Sequence, residues 1–295
     1  VSSSAGADNT YTIGDTIQVT VNFSEAVTVT GTPTISLVVG STTRTASYTS
    51  GTGTTALVFG YTVATGETDL DGVTVTTNTL ALAGGTILDA AGNASTLTHS
   101  AVAASTSHKV DTTAPTVSLT RSGSGTVLSG QTVTITFTFS EAVTGFELAD
   151  IERCPSSANN GTIGSLSGSG TTYTAVFTPT ADTSSGNASP CVIPSAVVDA
   201  AGNTNANYSS ALNLTIDTRL PTVTAFSTTT ANGTYKSGSA INITATTSEA
   251  VQSGNTITAT LDTGATVTLT AASAGTSLTG TYTVGASHTS SDLTV

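Results

Sequence analysis

Three short motifs recur along this sequence in a fixed order, and their acidic and asparagine residues are called the marks. They are the glutamate of Ser-Glu-Ala-Val, the aspartate and asparagine of Asp-Ala-Ala-Gly-Asn, and the aspartate of a linker that ends in proline. The marked residues are Glu25, Asp89, Asn93 and Asp111, then Glu141, Asp199, Asn203 and Asp217, and finally Glu249. Calcium prefers carboxylate and amide oxygens and accepts about six to eight of them in adaptable geometry. The marks therefore indicate cation binding if the fold brings them together.

Recurrence of the marks divides the chain into tandem units. The glutamate of Ser-Glu-Ala-Val returns at intervals of roughly a hundred residues, which is a common domain size. We predict domains at residues 1–112, 113–218 and 219–295. The third domain is predicted to be incomplete and to lack its last two strands, because its final SSDLTV aligns with ETDLDGV at 67–73. Either the sequence stops within a domain, or a neighbouring chain donates the missing strand.

Alternation of apolar and polar residues predicts β-strands in every unit. Residues 17–23, 133–139 and 241–245 each place apolar side chains at every second position. Threonine and valine fit a half-buried pleated surface, and no stretch shows sustained helical periodicity. We therefore predict an all-β fold in which a complete unit is a β-sandwich of about seven short strands.

Sandwich topology predicts where the marks lie. If strands A to G alternate up and down, the Ser-Glu-Ala turn between B and C shares the N-terminal pole of its domain with the Asp-Ala-Ala-Gly-Asn turn between F and G. The predicted calcium ligands at the first junction are Asp111, Glu141, Asp199 and Asn203, faced by Glu67, Asp69 and Asp71 from the E–F loop of the first unit. Carboxylates that converge without Lys or Arg partners repel one another, and a hard cation removes that repulsion. The alternative is that Asp and Asn only form turns and that Glu is merely exposed.

Two further groups follow from the same repeats. Asp217 and Glu249 are predicted calcium ligands at the second junction. Glu25, Asp89 and Asn93 are predicted ligands at the N-terminal pole of the first unit. That pole has no linker aspartate, and Asp8 is the candidate to replace it.

Composition excludes some classes of partner. Eighteen acidic and six basic residues give a net charge of −12, which argues against nucleic acid and anionic membrane surfaces. No run of about eighteen apolar residues is present, so no membrane insertion is expected. The alternative is that the negative net charge only keeps the protein soluble.

Catalytic chemistry is not indicated. The three histidines are isolated in the sequence, and no nucleotide-binding, metalloprotease or serine-hydrolase motif occurs. Glu147, Asp150 and Glu152 are the acids whose spacing is compatible with glycoside cleavage, but a solvated strand face explains them better. We expect a protein that is not an enzyme.

Cys154 and Cys191 are the only cysteines in the sequence, and both lie in the second unit. A disulfide between them would close a loop of 37 residues, worth about 4 kcal/mol in the loop-entropy model. Such a bond implies an oxidising, extracytoplasmic compartment. Two unrelated buried thiols are the alternative.

The order Ser-Glu-Ala-Val, Asp-Ala-Ala-Gly-Asn and Val-Asp-Thr-Thr-Ala-Pro closely resembles the bacterial Ig-like repeats of giant surface adhesins and biofilm proteins. The resemblance covers essentially the whole chain. It implies tandem Ig-like, cadherin-like sandwiches in an elongated rod, with Ca²⁺ at Asp111, Glu141 and Asp199, and then at Asp217 and Glu249. The chain departs from that pattern in lacking glycine-rich, aspartate-rich secretion nonapeptides and the Asp turn of its third unit.

The expected function is a non-catalytic stalk segment of an extracellular adhesin or matrix protein at the bacterial cell surface, stiffened by interdomain calcium. Its partners would be neighbouring repeats of the same long chain or identical chains, and a host or matrix ligand would bind outside these residues. The alternative is a subunit of a self-assembling filament or sheath whose third domain is completed by a neighbouring chain. A third interpretation is a glycan-active protein with its catalytic domain elsewhere.

Overall fold

The computed structural model describes residues 9–155, 158 and 160–295. The described chain is built from β-strands and one short 3₁₀ turn, which confirms the all-β prediction. It divides into two compact units at Asp217. The first unit contains two hydrophobic cores, which we call domains 1 and 2, and the second unit contains one core, called domain 3.

Domain 1 is a sandwich of two sheets. Its strands are β1 (Thr10–Tyr11), β2 (Thr16–Thr30), β3 (Thr34–Val39), β4 (Thr42–Ser50), β5 (Thr54–Thr62), β6 (Thr68–Asp69), β7 (Thr86–Leu88) and β8 (Lys109–Asp111). One sheet has the order β3-β4-β5-β2-β7 and the other β1-β8-β6. Tyr11, Ile17, Phe59 and Val110 are fully buried between them. Each such apolar side chain contributes about 1.5–3 kcal/mol by leaving water.

Domain 2 has its own core and three small sheets. Its strands are β9 (Val117–Arg121), β10 (Val127–Leu128), β11 (Val133–Val143), β12 (Ile151–Arg153), β13 (Gly161–Pro179), β14 (Gly186–Ala188), β15 (Pro190–Val192) and β16 (Leu214–Asp217), with a 3₁₀ turn at Leu148–Asp150. The sheets have the orders β13-β11-β9, β10-β16-β14 and β12-β15. Ile135, Phe137, Phe177 and Leu214 fill the core.

Domain 3 forms a single sheet within its described residues. Its strands are β17 (Val223–Ser227), β18 (Ala240–Val251), β19 (Thr256–Thr260), β20 (Thr266–Thr270) and β21 (Gly275–Thr283), in the order β17-β18-β21-β20-β19. Ala245, Leu269 and Leu278 are buried on one face of this sheet. Among the described residues of this unit, no strand corresponds to β7 or β8 of domain 1.

The Ser-Glu-Ala-Val segments correct one prediction. They do not form a B–C turn, because each lies inside a long strand at a shift of register. The shifts lie between Asn22 and Val27 in β2, between Thr138 and Val143 in β11, and between Thr246 and Val251 in β18. Such a bulge bends a strand and increases its twist. In domain 1 it lets β2 leave β5 and pair with β7 through Thr28–Thr30.

Candidate metal site between domains 1 and 2

Three carboxylates from two domains meet where domain 1 ends. Asp111 is the last residue of β8, Glu141 lies in the bulge of β11, and Asp199 opens the Asp-Ala-Ala-Gly-Asn turn of domain 2. One oxygen of each lies within 4.8 Å of the others. Asp199 is buried, whereas Asp111 and Glu141 are half-buried. Within the described residues, no other group of at least three His, Cys, Asp or Glu side chains is close enough to hold one ion.

The electrostatics of this cluster are those of unneutralised like charges. Burial raises the pKa of Glu141 above its usual value, and the nearby Asp199 and Asp111 raise it further. In the part of the chain that the structure describes, no Lys or Arg forms an ion pair with these three carboxylates. The Glu141 side chain also accepts no hydrogen bond there. The cluster is therefore suited to a proton or a cation.

The turn that carries Asp199 is held by that residue itself. Its Oδ1 accepts hydrogen bonds from the amides of Gly202 and Asn203, both at 2.8 Å, and its Oδ2 accepts one from Asn203 Nδ2 at 2.9 Å. Gly202 has a φ of 100°, a left-handed conformation that favours glycine. The Asp and Asn of the motif are thus needed to form the turn, whether or not a cation binds.

Asp89 and Asn93 form the same turn in domain 1. Asp89 Oδ1 accepts the amides of Ala91 and Asn93 at 2.9 and 2.8 Å, and its Oδ2 accepts Asn93 Nδ2 at 2.7 Å. Hydrogen bonds from Asn93, Ala91 and Gly92 hold the pKa of Asp89 below its usual value. Glu25 is exposed, and neither it nor Asp89 belongs to a described acidic group. Turn formation alone accounts for Asp89 and Asn93, and Asp8 lies outside the described residues.

Asn203 connects domain 2 to the linker in a way that the sequence did not indicate. Its Nδ2 donates to the main-chain oxygen of Asp111 at 3.0 Å, as well as to Asp199. Asn203 Nδ2 is therefore a hydrogen-bond donor towards Asp111, and the role of Asn203 as a metal ligand through its side-chain oxygen stays a prediction. Asn203 holds the turn of domain 2 against the last strand of domain 1.

Serine of Ser-Glu-Ala-Val also fastens the linker. The Ser140 amide donates to the oxygen of Thr116 at 2.9 Å, and the Thr116 amide donates to Ser140 Oγ at 3.0 Å. Ser248 and Thr222 make the same pair of bonds within domain 3. The serine, which directly precedes the glutamate, therefore fixes the backbone of the residue that follows the linker proline.

Glu67, Asp69 and Asp71 do not join the cluster. Glu67 is 5% exposed, and its carboxylate is bound by Arg44 Nε, by the Tyr61 hydroxyl and by the Ala64 amide. The prediction that these acids have no basic partner is therefore wrong for Glu67. Asp69 accepts the amides of Gly40 and Gly72 at 2.7 and 2.8 Å, so it closes turns within domain 1. Asp71 is exposed.

Asp217 and Glu249 belong to different compact units. Asp217 ends β16, and its Oδ1 is buried without a hydrogen-bond partner. Glu249 lies in the bulge of β18, and its Oε1 is likewise buried without a partner. Their role as calcium ligands stays a prediction.

Cys154 and Cys191 form the predicted disulfide, with their Cα atoms 5.1 Å apart. It joins the end of β12 to β15, which already pair through Glu152 and Cys191. Both sulfur-bearing residues are buried.

Domain 2 matches a known protein family. Residues 111–216 match the model of the Bacterial Ig-like domain family. Domain 2 is therefore similar to bacterial Ig-like domains. The match begins at Asp111 and ends next to Asp217, so it runs from one linker aspartate to the next. It confirms the resemblance and the Ig-like sandwich fold that the motifs indicated.

Bacterial Ig-like domains are typically non-catalytic modules of surface or structural proteins, and they are usually extracellular. No helix within the described residues is long and apolar enough to cross a membrane. Searches among curated proteins and among solved structures give no match to this chain.

Proposed function

We propose that this chain is a non-catalytic stalk segment of a bacterial extracellular adhesin or matrix protein, in which Ca²⁺ bound between domains 1 and 2 stiffens the junction. The observation that carries the proposal is the cluster of Asp111, Glu141 and Asp199, with one oxygen of each within 4.8 Å of the others. These carboxylates come from the last strand of one domain and from a bulge and a turn of the next. One ion bound there joins both domains.

The donor set favours calcium among common metals. All three side chains offer hard oxygen ligands, and the group contains no His or Cys that would select zinc or copper. Asp111 and Glu141 are half-buried, which leaves space for water to complete a shell of about six to eight oxygens. Magnesium demands stricter octahedral geometry and gives up its water reluctantly.

Glu141 is the residue that separates cation binding from turn formation. Asp199 and Asn203 make the hydrogen bonds that Asp89 and Asn93 make in domain 1, so the turn alone explains their types. Glu141 has no such structural role, since no described group donates a hydrogen bond to its side chain. It nevertheless lies half-buried beside two other acids.

Calcium titration of the full chain by isothermal calorimetry tests this proposal. Calcium modules of extracellular proteins bind at about 10⁻⁴–10⁻³ M, and binding to the folded state raises the melting temperature by mass action. We expect Asp199→Asn to abolish the binding that involves this cluster. Asp89→Asn is the matched control, because it alters the same turn where no acidic cluster is present.

Small-angle scattering in calcium and in chelator tests the stalk itself. A stiffer, longer particle in calcium supports the function. Wild-type protein that binds no calcium at millimolar concentration, or whose melting temperature and scattering are the same in chelator, overturns it. The filament alternative stays a prediction, which the mass of the native protein tests.

A further inference from the structure

Glu67 joins the main sheet of domain 1 to the linker between the domains. It is the only buried glutamate among the residues that the structure describes. Its carboxylate forms an ion pair with Arg44 of β4 and accepts hydrogen bonds from the Tyr61 hydroxyl of β5 and from the Ala64 amide, the latter at 2.9 Å. Burial opposes ionisation of Glu67, but the bonds from Tyr61, Ala64 and Arg44 outweigh it and hold its pKa below the usual value. The carboxylate is therefore held in its charged form, and both of its oxygens accept hydrogen bonds.

The main chain of the same residue binds the linker. Glu67 O accepts hydrogen bonds from the Thr112 amide at 3.2 Å and from Thr112 Oγ1 at 3.0 Å. The Gly66 amide donates to Thr112 Oγ1 at 3.0 Å, so this hydroxyl is both donor and acceptor. Thr68 lies opposite Asp111 in the ladder of β6 and β8. The loop thus fixes the backbone on both sides of the peptide bond that follows Asp111.

Asp111 is the linker residue whose carboxylate enters the acidic cluster. Its main-chain oxygen is held by Asn203 of domain 2, and its Oδ1 accepts the Thr113 amide at 2.9 Å. A continuous series of contacts therefore runs from Arg44 and Tyr61 through Glu67 to the linker. Metal sites depend on groups behind the ligands that fix ligand orientation.

The other domains show that the fold does not require this network. Tyr61 pairs with Ile17, which lies eight residues before the glutamate of Ser-Glu-Ala-Val. The same register places Phe177 opposite Val133 in domain 2. Phe177 has no hydroxyl, yet domain 2 builds its layered core.

Domain 3 has a variant of the same arrangement. Tyr282 pairs with Ile241 in the corresponding register, and its hydroxyl lies 2.7 Å from His288 Nδ1. The Gly285 amide donates to that nitrogen at 3.0 Å, just as the Ala64 amide donates to Glu67. A tyrosine thus fixes the loop in domains 1 and 3, but only domain 1 uses a carboxylate paired with Arg44.

We propose that Arg44, Tyr61 and Glu67 form a positioning network that presets Asp111 for cation binding at the junction. The main sheet of domain 1 then determines affinity at a site that it does not touch. This inference rests on the calcium function proposed above. None of the three side chains is itself a metal ligand.

Calcium calorimetry on the full chain tests the network. Tyr61→Phe removes only the hydroxyl, and Thr112→Val removes only the side-chain bonds between the linker and the loop. We expect each to weaken calcium binding about tenfold, the effect of losing about one hydrogen bond to a charged or buried group. Tyr282→Phe is the matched control, because it removes a hydroxyl at the corresponding position of domain 3 and is expected to leave the affinity unchanged.

The readout separates positioning from stability. A substitution that only destabilises domain 1 lowers its melting temperature but does not change the dissociation constant of the folded protein. Affinity measured well below the melting transition therefore reports positioning alone. Faster hydrogen exchange at the Thr112 amide in Tyr61→Phe is the second expected result.

Unchanged affinity in both Tyr61→Phe and Thr112→Val, in a protein whose wild type binds calcium and whose Asp111→Asn variant does not, overturns the network and leaves the calcium function standing. A wild type that binds no calcium overturns the calcium function, and the network with it. Weakened binding in both variants with an unchanged Tyr282→Phe control supports the network.

Discussion

Asn203 Nδ2 lies 3.0 Å from the main-chain oxygen of Asp111, so that a turn of domain 2 holds the last strand of domain 1. Asn93 occupies the same place in the turn of domain 1, and it bonds to Asp89 in the same way. The described hydrogen bonds of the Asn93 side chain go no further than its own turn. The two asparagines therefore differ mainly in the contact with the linker.

We expect Asn203→Ala to loosen the junction as well as the turn. It removes two side-chain hydrogen bonds, to Asp111 and to Asp199. The expected loss is about 1–3 kcal/mol of unfolding free energy for the turn and linker together. Asn93→Ala should lose less, because it removes only the bond within the turn. Chemical denaturation of the full chain measures both, and equal losses would show that the linker contact is energetically silent.

Glu141→Gln should have opposite effects with and without calcium. In chelator it removes a charge that Asp111 and Asp199 repel, so we expect the chain to be more stable by about 1 kcal/mol. In millimolar calcium it removes a ligand, so the gain should vanish or reverse. Thermal melts in the two conditions measure the difference.

Glu25→Gln is the control for that experiment. Glu25 lies in the corresponding bulge of β2 but is exposed and outside the acidic cluster. Its replacement should leave the melting temperature within error in both conditions. A calcium-dependent effect at Glu25 equal to that at Glu141 would point to general charge rather than to the cluster.

The disulfide should stabilise domain 2 mainly by restricting the unfolded chain. Cys154 and Cys191 are 37 residues apart, which corresponds to about 4 kcal/mol in the loop-entropy model. We expect the Cys154→Ala, Cys191→Ala double variant to unfold at lower denaturant concentration than oxidised wild type. In reductant the two proteins should be similar, and a persistent gap of the same size would assign the effect to packing.

Domain 1 should lose stability at mildly acid pH because of His108. Burial lowers the pKa of His108 in the folded protein, and its ring stacks against Tyr11 with centroids 6.4 Å apart and an interplanar angle of 26°. The unfolded chain therefore takes up a proton at about pH 6.5 while the folded chain resists, so stability falls as pH decreases through that value. Below the lowered pKa the loss becomes constant.

His108→Phe isolates this contribution. Phenylalanine keeps an aromatic ring beside Tyr11 but cannot be protonated. The stability difference between wild type and variant should change with pH between about 6.5 and the lowered pKa of His108, and should be constant outside that window. A difference that does not vary with pH would show that His108 is not the titrating group.

Much of the fold followed from local pattern. Period-two alternation predicted β2, β11 and β18, and Ile17, Ile135 and Ala245 are buried as that pattern requires. The repeat order also predicted that Asp111, Glu141 and Asp199 would meet. The linker, the Ser-Glu-Ala-Val segment and the Asp-Ala-Ala-Gly-Asn turn were all expected at the N-terminal pole of domain 2. The disulfide could also be predicted, since Cys154 and Cys191 are the only cysteines in the sequence.

Local pattern misassigned the segments whose neighbours are remote in sequence. Ser-Glu-Ala reads as a turn, but β2 continues through it because β7 supplies hydrogen bonds beyond the bulge. The sequence pattern predicted that Glu67 lies near other acids without a Lys or Arg partner. Its actual partner, Arg44, is 23 residues away on β4, and the pairing of β4 with β5 brings that strand close to the loop after β5 that carries Glu67.

Sequence by itself thus determined the strands, the repeat order and the residue types available at the junction, because alternation and turn chemistry are local. Only the tertiary structure decided which acids remain unpaired. A carboxylate is neutralised by whichever group the sheets bring within hydrogen-bond reach, and strand register sets that distance. Arg44 reaches Glu67 and leaves Asp111, Glu141 and Asp199 facing one another.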